Sequence, residues 1–132
     1  MAVTVKASLG KEKYYTEVIA GENTLITDEP ADKGGGNKGF NPFEILATSL
    51  ASCTAATLRM YIDRKEWEVE KINVEVELEN FPLTKRAIFK RNISFEGTHL
   101  DEEQRKRLHA IADACPVHKM LTNDIEILTQ FS

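Results

Sequence analysis

Two cysteines, Cys53 and Cys115, each stand where a thiol could have work to do. Cys115 immediately precedes Pro116, which predicts that it caps a short helix running from Pro116 to Leu121. Unpaired N–H groups and the helix dipole at such a position favour a thiolate. A cysteine simply tolerated at a helix junction fits the same pattern. His118 follows three residues later; it is placed either to orient or donate to that sulfur or to be an ordinary junction histidine. Cys53 lies among small residues (Ala47, Thr48, Ser49, Ala51, Ser52, Thr54, Ala55 and Ala56). There a free cysteine can be a nucleophile or a small core hydrophobe.

Other groups bear on the same chemistry. Zinc takes about four ligands. Cys53, Cys115 and His118 offer three, with no Cys-x-x-Cys pair, so no metal site and no cofactor is expected. Glu44 and Cys53 are nine residues apart in one predicted helix. That spacing puts them on opposite sides and about 13 Å apart along the axis. If both serve one site, a kink or another chain must bring them together; otherwise Glu44 is a first-turn carboxylate complementing the dipole. Gly34-Gly35-Gly36 lacks the Gly-x-x-x-x-Gly-Lys-Ser/Thr spacing of a phosphate loop, and reads as a mobile flap near the helix start. Arg91 falls in phase with Phe89 and Ile93 on an apolar strand face, as an arginine at a sheet rim with its stem buried would.

The elements that must position these groups follow from periodicity. Val3, Val5, Ala7 and Leu9 alternate as a strand, Tyr14 to Ala20 reads as its antiparallel mate, and Thr24 to Thr27 as a third. Residues 28–41 form one long loop, of a length that is often functional. Asn41-Pro42 starts a helix reaching about Arg64, with Asn at the cap, Pro at the first position and Glu44 in the first turn. Its small and apolar residues lie all round, which predicts burial on most sides. Trp67 to Glu79 alternates with a slip of phase near Glu70-Lys71, predicting a β-bulge there. Phe81 to Thr84 connects it to a strand from Arg86 to Glu96, with Ala87, Phe89, Ile93 and Phe95 on one face. Asp101 and Gln104 form a capping-box pattern for a second helix striped by Leu108, Ile111 and Ala112. Cys115-Pro116 breaks it, and Asp124 to Leu128 reads as a last strand. The order βββ-α-ββ-α-α-β is that of an α+β protein.

The chain has 132 residues, 42% apolar and 29% charged, which predicts a single domain over residues 1–132. Its net charge of −4 lacks the basic footprint of a nucleic-acid binder. The apolar-leaning stretch from Phe43 to Ile62 carries Glu44 and Arg59 and is diluted by Ser and Thr. It reads as a buried helix and not a membrane span. With no signal-peptide pattern after Met1 and only two cysteines, the expected compartment is the cytoplasm, with both thiols reduced.

Three segments taken in order resemble the OsmC/Ohr family, osmotically inducible protein C-like and organic hydroperoxide resistance proteins. They are Asn41-Pro42-Phe43-Glu44-Ile45-Leu46-Ala47, Leu50-Ala51-Ser52-Cys53-Thr54 and Ala114-Cys115-Pro116-Val117-His118. The two cysteines, 62 residues apart and each in a helical context, match that family's pair. The Cys-Pro-Val-His variant looks like the OsmC-like branch. The resemblance implies an intertwined homodimer with two central helices packed against antiparallel sheets. It also implies thiol-dependent reduction of a small organic hydroperoxide at the dimer interface, in oxidative-stress defence. Cys53 would be the peroxidatic cysteine, Cys115 the resolving one, and Glu44 the active-site glutamate that pairs with an arginine. An external dithiol, of lipoyl or another type, would restore the thiols.

The family's arginine precedes the helix, whereas the first arginine of this chain is Arg59. Lys33 or Lys38 in the loop, or Arg91 if the sheet presents it, are the cations left to replace it. That departure sustains an alternative of another class: a redirected or non-catalytic OsmC-like protein that binds or senses a small electrophile at the dimer interface. Rapid peroxide-driven disulfide formation at neutral pH separates the two readings.

Overall fold

Alternating side chains need a partner strand to become a ladder, and the first three alternating segments find one another. In the computed structural model, which describes Met1–Ser132, β1 (Lys6–Leu9), β2 (Thr16–Ala20) and β3 (Asn23–Thr27) form an antiparallel sheet in that order. The first ladder runs from Lys6 opposite Ile19 to Leu9 opposite Thr16. β2 reaches its turn at Gly21 soon after, so Val3 and Val5 stay outside the strand and exposed. Gly21 has φ of 63° at the first central position of the two-residue turn between Ala20 and Asn23, a geometry that favours glycine.

The long loop is not a free flap. It holds a 3₁₀ turn over Ala31–Lys33, and Thr27 bridges in parallel to Phe40. Its organiser is Asp28, a buried carboxylate. One oxygen accepts the backbone N–H of Tyr14 and of Glu29, at 3.2 and 2.8 Å. The other accepts those of Gly36 and Lys38, at 3.2 and 3.1 Å. Burial pushes the Asp28 carboxyl up, but these four donors together outweigh it and hold it below the usual carboxylate range. Gly35 and Gly39 permit the close turns, since a Cβ would strike the carbonyls of Glu29 and Ile26 respectively.

α1 (Pro42–Arg64) begins with a reciprocal capping box. Asn41 Oδ1 accepts the Glu44 N–H and Glu44 Oε1 accepts the Asn41 N–H, both at 2.8 Å. The helix is long and apolar enough by composition to cross a membrane. Burial falls on one stripe only, at Leu50, Thr54, Leu58, Tyr61 and Ile62. Phe43, Leu46 and Met60 are exposed. The expected burial on most sides is therefore not met within one chain.

Residues 1–46 and 47–132 form two compact units. In the second, β4 (Lys71–Phe81) and β5 (Arg86–Glu96) make an antiparallel hairpin paired from Lys71–Glu96 to Phe81–Arg86. A 3₁₀ turn at Pro82–Thr84 joins them, with Lys85 at φ of 54°. The expected bulge at Glu70-Lys71 is absent. Trp67 to Glu70 precedes the strand as irregular chain, so the phase slip marks the entry to β4 and not a defect inside it. On one hairpin face Ile72, Val74, Val76 and Leu78 stand opposite Phe95, Ile93, Arg91 and Phe89.

α2 (Glu102–Asp113) has the expected Asp101–Gln104 capping box, and α3 (Pro116–Leu121) has Cys115 at its N-cap. The core joins Leu58, Tyr61 and Ile62 of α1 with Val69 and with Leu108 and Ala112 of α2, over Ile72, Ile93 and Phe95 of the sheet. Tyr61 and Trp67 meet edge to face at 5.7 Å, and Arg107 Nε donates to the Tyr61 hydroxyl at 2.9 Å. The expected strand over Asp124 to Leu128 is not formed. The segment pairs with no strand of its own chain, and Ile125, Ile127, Leu128 and Phe131 are left exposed. The α+β class and its antiparallel sheets stand as expected; the final strand does not.

Candidate active site

Cys53 and Thr54 are consecutive residues of α1, and Cys115 is brought to them from the junction of α2 and α3. Both cysteines are free; Cys53 is partly exposed and Cys115 is fully buried. The Cys53 side chain lies near the Cys115 sulfur and contributes to its ionisation. The backbone N–H of His118 donates to Cys115 Sγ at 3.4 Å, and Thr54 Oγ1 lies 3.7 Å from the same sulfur.

The cation of the site is Arg91. It rises from the middle of β5, opposite Val76, onto a face that is otherwise apolar. Its side chain is only 11% exposed. Nη1 donates to Thr54 Oγ1 at 3.0 Å, and Nη2 to Asp113 Oδ1 at 2.9 Å. Nη2 also lies 3.0 Å from His118 Nδ1. A guanidinium has no acceptor, so His118 Nδ1 receives that bond and the neutral ring carries its proton on Nε2. The Asp113 carboxylate is itself half-exposed and also meets His109 Nδ1 at 3.5 Å.

These surroundings decide the ionisation of Cys115. Burial pushes its thiol up. The His118 N–H, the Thr54 hydroxyl, the Cys53 thiol and the Arg91 charge pull it down and prevail, leaving it below the ordinary cysteine value. A cleft of about 690 Å³ opens beside this cluster. Arg91, Asp113 and His118 line it with Arg86, His109 and Thr122 and with apolar residues such as Leu50, Phe89 and Ile93; neither Cys53 nor Cys115 does.

Of the residues singled out in the sequence, Cys53, Cys115, His118 and Arg91 share this cluster. The rim reading of Arg91 gives way to a nearly buried guanidinium with three partners. Glu44 is engaged in the capping box at the start of α1. Lys38 pairs with Glu12 at 2.8 Å and lies over the Tyr15 ring, and Lys33 is exposed in the 3₁₀ turn; both belong to the first unit. Sequence reasoning missed Thr54 and Asp113. Thr54 was hidden among the small residues of α1, although its place next to Cys53 was a signal. Asp113, two residues before Cys115, had none. No group of His, Cys, Asp and Glu side chains that could hold a metal ion is present.

The family model for OsmC-like protein matches residues 35–130. Among solved structures, an osmotic-stress-induced and detoxification-response protein from Psychrobacter arcticus aligns with a TM-score of 0.79 and 28% identity, covering 91% of this chain and 88% of the other. An OsmC-like protein from Mycoplasma pneumoniae aligns at 0.71 and 20%, over 92% and 87%. The organic hydroperoxide resistance protein OhrB of Bacillus subtilis aligns at 0.62 and 20%, over 94% and 93%. No curated protein sequence matches this chain.

Proposed function

Because the chain belongs to the OsmC-like family, we propose that it is a thiol peroxidase that reduces organic hydroperoxides through Cys53 and Cys115. The observation that carries this is the meeting of two free thiols, one partly exposed and one buried, in a single cluster with a cation. Neighbours of the same fold named as organic hydroperoxide resistance proteins add to it.

Cys53 is the sulfur that a peroxide can reach. Cys53, which is partly exposed, loses its thiol proton to solvent, leaving the Cys53 thiolate. That thiolate attacks the terminal oxygen of R–O–OH, the O–O bond breaks, and the alkoxide takes up a proton and leaves as an alcohol. Cys53 becomes a sulfenic acid. Cys115 then attacks the Cys53 sulfur and water departs, giving a Cys53–Cys115 disulfide. An external dithiol restores both thiols by exchange. The net change is one hydroperoxide and two thiols to one alcohol, one water and one disulfide.

The working form is a homodimer on this reading, with a second copy covering the exposed face of α1 and the unpaired segment 124–131. The cytoplasm, where a dithiol reductant is at hand, is its proposed location. Free-thiol counting and intact mass after one equivalent of tert-butyl hydroperoxide test the chemistry. Wild type loses both thiols and the mass of two hydrogens, and Cys53→Ser forms no disulfide. Undiminished peroxide consumption by Cys53→Ser would overturn the proposal.

A further inference from the structure

The Thr54 hydroxyl has one proton and two acceptors within reach. Oγ1 lies 2.7 Å from the carbonyl of Leu50, one turn back in α1, and 3.7 Å from Cys115 Sγ. It also receives the Arg91 Nη1–H at 3.0 Å. Thr54 is fully buried, so no solvent completes its hydrogen bonding. A hydroxyl oxygen has two lone pairs. When Cys115 is a thiol, one lone pair takes Arg91 and the other the S–H, and the hydroxyl proton goes to Leu50. When Cys115 is a thiolate, the S–H is gone and the sulfur becomes the more strongly attracting acceptor. Rotation about the Cβ–Oγ1 bond then carries the proton from Leu50 to the sulfur. The Leu50 carbonyl keeps its bond from the α1 backbone, so the change leaves no buried group unpaired.

We propose that Thr54 is a proton switch for the Cys115 sulfur and that Arg91 is its positioning residue. Arg91 donates in both states, so it fixes the oxygen while the proton moves. It also polarises the hydroxyl, making it a better donor to sulfur. Asp113 and His118 hold the guanidinium at its other end, at 2.9 and 3.0 Å, which keeps Nη1 aimed at Thr54. Thr54 and Cys53 from α1, Arg91 from β5, Asp113 from the end of α2 and His118 from α3 are the polar and charged groups that face this sulfur or its cation.

This inference deepens the thiol reading of the site but needs no peroxide. Its test is the thiolate absorbance of Cys115 against pH in a Cys53→Ser background, where Cys115 is the one thiol. Thr54→Val, which keeps the shape and removes the hydroxyl, shifts the titration to higher pH, and Thr54→Ser restores it. Arg91→Met shifts it the same way, and Arg91→Lys falls between. The double variant Thr54→Val with Arg91→Met moves less than the sum of the two, because Arg91 acts in part through Thr54. Titration of Thr54→Val with its parent, an equal shift in Thr54→Ser, or strict additivity in the double variant would each overturn the proposal. Should Arg91→Met fail to fold, the Val and Ser substitutions at Thr54, with Arg91→Lys, still decide it. A protein that passes this test and leaves peroxide untouched would retain the switch and lose the peroxidase reading; the reverse pattern would do the opposite.

Discussion

Arg91 and Asp113 are paired at 2.9 Å with unequal access to water: the guanidinium is 11% exposed and the carboxylate 51%. The wet partner is screened and the dry one is not. Much of the positive charge of Arg91 therefore remains available on the protein side, where Thr54 and Cys115 lie. No arginine precedes Arg59 in the chain, and the arginine beside the thiols comes from a strand well after the first cysteine.

Asp113→Asn tests that asymmetry. It keeps an acceptor for Arg91 and removes the countercharge. The expected cost in stability is about 1 kcal/mol or less, given the exposed carboxylate. The Cys115 titration moves to lower pH, since the guanidinium is then opposed by less negative charge. Urea denaturation and thiolate absorbance on the same variant check both.

The lowered Cys115 ionisation makes the reduced protein's stability depend on pH. The native state releases the thiol proton before the unfolded chain does. Stability attributable to Cys115 thus rises with pH between its native value and the ordinary cysteine value. It is lost as pH falls through the native value. Urea midpoints of the reduced wild type and Cys115→Ser, compared across neutral to mildly alkaline pH, diverge in that window. Parallel curves would contradict the stabilised thiolate.

Asp28→Ala unties the 28–41 loop. Four backbone N–H groups lose their acceptor at once. Amide exchange at Gly36 and Lys38 rises, and protease cleavage concentrates between residues 28 and 41. In the wild type the contribution of Asp28 is complete above the ordinary carboxylate range and fades as pH falls through its lowered native value. The loop should accordingly loosen in acid in the wild type and show no such acid response in Asp28→Ala.

Leu58→Ala removes a side chain with no exposure at the centre of the core. A loss of about 2–5 kcal/mol is expected, read from chemical denaturation. Met60→Ala, two residues on and exposed, changes the free chain's stability by under about 1 kcal/mol.

A second copy of the chain, if it covers the segment after α3, makes the exposed apolar side chains there matter to assembly. Ile127→Asp then lowers the molar mass seen by light scattering from dimer toward monomer, with the cysteine cluster unaltered. An unchanged mass would remove this segment from the interface.

The helices were legible in the sequence because their ends carry local chemistry. Asn41-Pro42, Asp101 with Gln104, and Cys115-Pro116 each fix a boundary through bonds made within a turn. The strands were legible by alternation, but their limits were not. Val5 and Tyr15 alternate as well as their neighbours do, and only the register with a partner excludes them. The last strand failed for the same reason, since a pattern of apolar residues does not supply the partner it requires. At the site, the thiols and His118 were visible by type, and Arg91 as a charge out of place on an apolar face. Thr54 and Asp113 join the cluster only through contacts with Arg91, 37 and 22 positions away.

The β4–β5 hairpin places its own condition on inheritance. Its eleven pairs run without interruption, and side chains change face at every residue. One residue inserted or deleted between Pro82 and Arg91 could exchange the two faces of β5 and turn the guanidinium away from the thiols. Two would return it to the correct face, displaced by a single step along the strand. Sequence drift in this hairpin is thus constrained by odd and even, and a lineage could silence its cysteines by a length change at a distance from either of them.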